Sequence, residues 1–132
     1  GKRIALSPSV VETVSGDASL AEVWRRHLRW SRTVRVSRPG GHFGLVFTFG
    51  TVWSLALLGL GTWPWLAGIC LLARGAAAAT VARTVGARLG AAWLLLPVAD
   101  LWAFAVWLAS HCGTKVSWRG RRLRLDRAGR IQ

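Results

Sequence analysis

Arg26, His27, Leu28, Arg29 and Trp30 form the cluster in this chain whose residue types and spacing best suit chemistry. Residues three and four apart on a helix are neighbours, so Arg26 would sit beside both Arg29 and Trp30. Two guanidinium forks side by side can take a phosphate bidentately, and an indole face can stack on a sugar ring or another flat apolar surface. The plainer reading is an amphipathic helix on anionic lipid headgroups, with the arginines solvated and Trp30 at the interface. Helix physics alone favours that plainer reading. No Gly-rich phosphate loop, zinc motif or Ser/His/Asp pattern accompanies the cluster, and the acidic residues are too scattered for paired-carboxylate catalysis. Cys70 and Cys112 lack CxxC spacing and read as small buried hydrophobes, not as a disulfide or a metal site.

The helix that must carry the cluster announces its own start. Ser19-Leu20-Ala21-Glu22 fits a capping box, and Asp17 adds negative charge near the positive end of the helix dipole. The pattern predicts a helix over about residues 20–36, stopped by Ser37-Arg38-Pro39-Gly40-Gly41. Residues 4–6 and 10–14 before it are β-rich and separated by Pro8, which predicts short strands or an extended edge.

The apolar stretches beyond this helix belong to a membrane. Nine Trp, no Tyr and a positive mean hydropathy accompany apolar runs longer than a soluble helix needs. A net charge of +13 could suit nucleic acid, but the apolar middle argues against it, and no nucleic-acid partner is expected. Eight basic residues precede the first apolar run and seven fall between Lys115 and Arg130, leaving Arg74, Arg83 and Arg88 between them. That segregation suits basic flanks at headgroups and apolar segments in lipid.

From Pro39 to Ala73 no Asp, Glu, Lys or Arg occurs, a run well beyond the roughly 20 residues of one span. Gly61-Thr62-Trp63-Pro64-Trp65 supplies the turn, which predicts one span near residues 43–60 and a second from Trp63 through Ala82. Arg74 then lies at membrane depth, either facing a bundle interior or polar cavity or snorkelling from a kinked helix. A third apolar region, residues 89–114, contains Pro97, which would kink it, and Asp100, which either pairs with Arg74 or lines a small wet pocket. Three crossings would put the basic tail on the face opposite a cytoplasmic helix, against the positive-inside rule. Either residues 89–114 break at Pro97 into a re-entrant hairpin or the tail violates the rule, and the reading leans toward a cytoplasmic tail. Residues 116–125 alternate around Gly120 and could form a small β-hairpin, or act as a polybasic anchor worth about 1 kcal/mol per cation. The opening residues lack the sustained apolar core of a signal peptide, and the absence of Met predicts a piece of a longer protein or a truncated gene model.

Ala5-Leu6-Ser7-Pro8-Ser9-Val10-Val11-Glu12-Thr13, then Arg26-His27-Leu28-Arg29-Trp30, then apolar spans, then Val116-Ser117-Trp118-Arg119-Gly120-Arg121 resembles the C-terminal part of membrane-bound family 2-type glycosyltransferases. The likeness is greatest to ceramide glucosyltransferases and bacterial hopanoid-biosynthesis glycosyltransferases, and it spans nearly the whole chain. Its central motif is the QxxRW box, here with Arg26 in place of Gln, a variant found in the ceramide glucosyltransferase branch. The resemblance implies inverting transfer of a sugar from a nucleotide sugar, a UDP-sugar, to a membrane lipid of ceramide or hopanoid type. It implies that Arg26 and Arg29 bind the diphosphate and that Trp30 packs on acceptor or sugar, while His27 falls at a variable position. The GT-A-like catalytic domain, the DxD ligands of a divalent metal (Mg or Mn) and the general base would all precede Gly1, so this segment alone would be inactive.

The expected fold is therefore mainly α and membrane-bound. Residues 1–18 would be the strand remnant at the edge of the catalytic domain, 19–38 the amphipathic interface helix with the box, 39–114 about three transmembrane or re-entrant helices, and 115–132 the basic tail. The expected location is a bacterial inner membrane, with the box helix on the cytoplasmic face. The competing class is a small free-standing polytopic membrane protein that binds anionic lipid or a protein partner.

Overall fold

The computed structural model describes residues 16–61, 63–88 and 90–113, together with the backbone of 115–118 and 121–124. The strands expected before residue 15 lie outside the described residues. Helix α1 spans Leu20–Ser37 and opens on a complete capping box. The Glu22 carboxylate accepts the Ser19 backbone N–H at 2.8 Å, while the Ser19 hydroxyl faces the Glu22 N–H at 3.4 Å. Pro39 opens α2 (Pro39–Gly44), where its missing N–H has no partner to lose. A 3-10 turn over Leu45–Thr48 follows, then Phe49 outside helical geometry, then α3 (Gly50–Gly59). Helix α4 spans Pro64–Val85 and stops at Gly86, which takes the left-handed conformation at φ 69°. A 3-10 segment over Gly90–Leu95 leads into α5 (Leu96–His111). Strands β1 (Lys115–Trp118) and β2 (Arg121–Arg124) pair antiparallel with Lys115 opposite Arg124.

Three expectations need correction. The span read over residues 43–60 is not one helix: Pro39–Thr48 and Gly50–Gly59 meet at Phe49 with axes 58° apart. Pro97 does not kink a helix, because it occupies the first turn of α5, where an absent N–H breaks no bond. Cys112 is exposed rather than buried, and Cys70 is half-buried, both as free thiols. The second span matches its expectation, since α4 is long and apolar enough to cross a membrane. Gly90–His111 passes the same test, and the bent pair would be a third if it formed one span.

The distribution of side chains is inverted relative to a water-soluble fold. Among the described residues the buried set includes His42, Thr51, Ser54, Asp100 and Ser110, whereas Leu60, Leu72 and Leu94 stand 75–82% exposed. Exposed apolar area on this scale suits a hydrocarbon solvent, in which helices associate through small side chains and internal polar bonds.

The polar interior is built around Asp100 on α5. Its Oδ1 accepts a hydrogen bond from Arg74 Nε of α4 at 2.7 Å, which resolves the open alternatives for Asp100 in favour of the ion pair. Its Oδ2 accepts both the Thr51 backbone N–H at 3.2 Å and the Thr51 hydroxyl at 3.1 Å. Asp100 thus caps the N-terminus of α3 from a neighbouring helix, where the orphan N–H groups and the positive dipole end favour an anion. One turn on, the Ser54 hydroxyl donates to the carbonyls of Gly50 at 2.8 Å and of Ala67 on α4 at 2.9 Å.

This packing leaves no room for a side chain at Gly50. A Cβ there would lie 2.6 Å from Arg74 Cβ and 2.9 Å from the Cys70 carbonyl oxygen, so α3 and α4 would have to separate. Gly50→Ala is expected to lower stability by about 1–3 kcal/mol. Gly44→Ala, whose Cβ would meet nothing within 4 Å, should be neutral or slightly stabilising. Thermal unfolding in detergent measures both; equal melting temperatures would exclude the close approach.

The capping box also carries a pH dependence. The Ser19 backbone N–H, and after it the Ser19 hydroxyl, hold the Glu22 carboxyl below its ordinary value of 4.5. A carboxyl lowered in the folded state stabilises fully above its unfolded pKa, and that contribution is lost as pH falls through the folded pKa. Acidification below about 4.5 should therefore fray the first turn of α1, seen as movement of the Glu22 and Val23 amide chemical shifts toward coil values. The isosteric Glu22→Gln, which can still complete the box, should abolish that titration.

Candidate functional site

α1 carries the box, and its two sides do different work. Successive helix positions turn by about 100°, which gathers Trp24, His27, Ser31 and Arg35 toward α5 and sends Arg26 and Arg29 to the opposite side. The Trp24 ring meets Trp102 of α5 edge-on, with centroids 5.2 Å apart. Trp102 Nε1 donates to His27 Nδ1 at 3.0 Å, so the variable position of the box is a docking contact between helices.

Further along α1, the Ser31 hydroxyl lies 3.0 Å from His42 Nε2, and the Ser110 hydroxyl of α5 lies 3.2 Å from the same nitrogen. His42 is almost fully buried, stacked on Trp107, and its carbonyl accepts Trp107 Nε1–H at 2.8 Å. The end of α1 is then tied to the end of α5. Arg32 Nη2 donates to the Cys112 carbonyl at 2.6 Å, and Arg35 donates to the carbonyls of His111 at 3.4 Å and Gly113 at 3.0 Å. Cations at the C-terminus of α5 also meet the negative end of its dipole.

Arg26 and Arg29 are half-buried on the side away from α5, and Trp30 beside them is 58% exposed. The structure keeps the three on contiguous helix surface, with the His27 ring 6.4 Å from that of Trp30. Glu22 lies one turn before Arg26 and adds its negative charge to that side. Chemically, this surface carries two half-buried guanidinium groups beside an exposed indole face. Of the described carboxylates, Glu22 is engaged in the cap and Asp100 in the ion pair, and Asp17 stands exposed before the start of α1. Among the described residues no three His, Cys, Asp or Glu side chains converge as a metal site requires. The divalent metal implied by the resemblance therefore does not fit the described residues.

Sequence reasoning missed the structural duties of Ser31, Arg32, Arg35, His42 and Trp102. One signal was available: Arg26, Arg29, Arg32, Arg35 and Arg38 recur at every third position. A stripe of that period winds round a helix of 3.6 residues per turn, so its two ends must serve different surroundings. No signal pointed to His42, whose partners come from two other helices.

A concavity of about 680 Å³ lies among α3, α4 and α5, lined by Phe47, Phe49, Trp53, Ala77, Arg74 and Asp100. It shares no residue with the box.

No curated protein and no solved structure matches the chain. The family model for glycosyl transferase family 21 matches residues 1–131, and the chain therefore belongs to that family.

Proposed function

We propose that this segment is the membrane and acceptor-side part of an inverting glycosyltransferase that moves a sugar from a UDP-sugar to a membrane lipid of ceramide or hopanoid type. In this reading Arg26 and Arg29 hold the diphosphate, and Trp30 packs against acceptor or sugar. The observation that carries it is the division of α1: one side, His27 included, is locked onto an apolar helix, while Arg26 and Arg29 stand on the other beside the exposed indole of Trp30. A nucleotide sugar loses a nucleoside diphosphate as the new bond forms, so negative charge grows on the leaving group. Prepositioned guanidinium donors stabilise that charge more than the ground state.

The general base and the metal ligands belong to the catalytic domain that the resemblance implies, outside residues 1–132. The exposed leucines of α4 and of Gly90–His111 support an integral membrane location, and the reading places the box helix at the cytoplasmic face of a bacterial inner membrane.

Surface exposure of Trp30 among arginines also suits plain binding of anionic headgroups, and one set of variants separates the two. In the full-length enzyme Arg29→Ala should lower kcat/KM by about 10²–10³-fold, the loss found when one preorganised donor is removed. Arg29→Lys should rescue poorly, because a single ammonium cannot reproduce a fork on diphosphate. Trp30→Ala should cost less and act mainly on KM. Headgroup binding would instead tolerate Lys at position 29, so full rescue, or unchanged kinetics in Arg29→Ala, would overturn the assignment.

A further inference from the structure

We infer that residues 39–59 enter and leave the membrane at one face, as a V with its tip at Phe49 and Gly50. The C-terminal end of α1, the turn before α4 and the C-terminal end of α5 then share that face, and residues 86–88 lie at the other. The inference rests on the membrane location proposed above, and three independent observations carry it.

The first is a parity argument. Arg32 and Arg35 of α1 donate to the carbonyls of Cys112 and Gly113 just past α5, at 2.6 and 3.0 Å. The chain leaving α1 and the chain leaving α5 are therefore at one level, and the number of crossings between Ser37 and His111 is even. α4 and Gly90–His111 each have the length and composition of a crossing. Residues 39–59 must then contribute none.

The second is the order of contacts along the V. On the way in, His42 touches Ser110 and Trp107, Phe49 touches Trp107 and Phe104, and Thr51 reaches Asp100. This arm descends the C-terminal half of α5 to the middle. On the way out, Gly50 abuts Arg74 and Cys70, and Ser54 bonds Ala67. α3 therefore follows α4 back from Arg74 toward Pro64. The Arg74–Asp100 pair fixes the level at which α4 and α5 pass each other, and Trp93, seven residues before Asp100, lies by Gly75, Ala79 and Ala82, so the two run in opposite directions. A crossing segment would continue past the remaining halves, residues 75–85 and 90–99; instead those halves approach each other through Trp93.

The third is electrostatic. A break in helical backbone at membrane depth survives only where protein satisfies its polar groups, and Asp100 accepts the Thr51 N–H directly beyond the break. The same path brings the last basic residues of α1 and the start of β1 at Lys115 to one end, with Arg83 and Arg88 at the opposite end of α4. Such a bias is what orients membrane proteins, and it removes the conflict that three crossings create.

Single-cysteine variants labelled with a membrane-impermeant maleimide, in vesicles of both orientations, decide the matter. Positions 37, 60, 87 and 112 are exposed, and Cys112 is native, so Ser37→Cys, Leu60→Cys and Ala87→Cys complete the set in a Cys70→Ala background, with Cys112→Ser added for those three. The expected result is labelling of 37, 60 and 112 from one face and of 87 from the other. Labelling of 37 with 87 from one face, and of 60 with 112 from the other, would establish three crossings and overturn the V. Carbonate extraction of the unmodified protein separates this from the parent reading: release into the supernatant overturns the membrane location itself, and with it the V.

Discussion

A buried carboxylate is the constraint to which the helices are fitted. Asp100 is 2% exposed, in the second turn of an apolar helix, and a lone buried anion there would be too costly to keep. Its charge is balanced by Arg74, and its second oxygen is occupied by the first turn of α3. Each partner brings a helix with it. Arg74 brings α4, Thr51 brings α3, and the two must approach closely enough that position 50 has space only for glycine. Replacing the pair by leucines would spare the desolvation, and buried ion pairs often stabilise less than such isosteres. Leucine could not cap α3, however, and the backbone break at Phe49 would then be left with a buried donor in hydrocarbon.

The arginines of α1 show the same economy at the other end of α5. Position along the helix, not residue type, decides what each guanidinium does. Arg32 and Arg35 satisfy the carbonyls that a helix leaves unpaired at its C-terminus, while Arg26 and Arg29, a turn or two earlier, fall on the side away from α5. Substitution of Arg32 or Arg35 would therefore disturb docking, and under the proposed function its effect on turnover would arrive through displaced box residues. His42 cements the junction because its ring meets hydroxyls from α1 and α5, while α2 places it between them.

Local chemistry was legible in the sequence, and chemistry shared between helices was not. Ser19 and Glu22 announced the start of α1 because both halves of a capping box lie within four residues. The apolar run with Trp63-Pro64 at its head announced α4. The break at Phe49 left no such trace: Gly50 there answers to the approach of Arg74, and Asp100, which caps the new helix, lies forty-nine residues away from Thr51. Pro97 was read as a kink because its position relative to the helix start depends on where the 3-10 segment ends. The role proposed for Arg29 rests on resemblance, since helix physics alone favours binding of lipid headgroups.

Under the proposed function, locking α1 at both ends has a catalytic rationale. A transferring group loses rate steeply when a charge-stabilising donor is misplaced by an ångström, so a donor is worth most where its support is rigid before substrate arrives. A helix merely floating at an interface would have to be ordered at each encounter. Here the capping box fixes the first turn, Trp24 and His27 clasp Trp102, and Arg32 and Arg35 hold the last turns to the end of α5. The ordering is done by folding. α5 is in turn held by Asp100 to α3 and α4, so the position of Arg29 depends on an ion pair that no substrate need touch. Loss of activity on disturbing Asp100 would thus be a loss of placement, and it would leave the chemistry of the guanidinium itself intact.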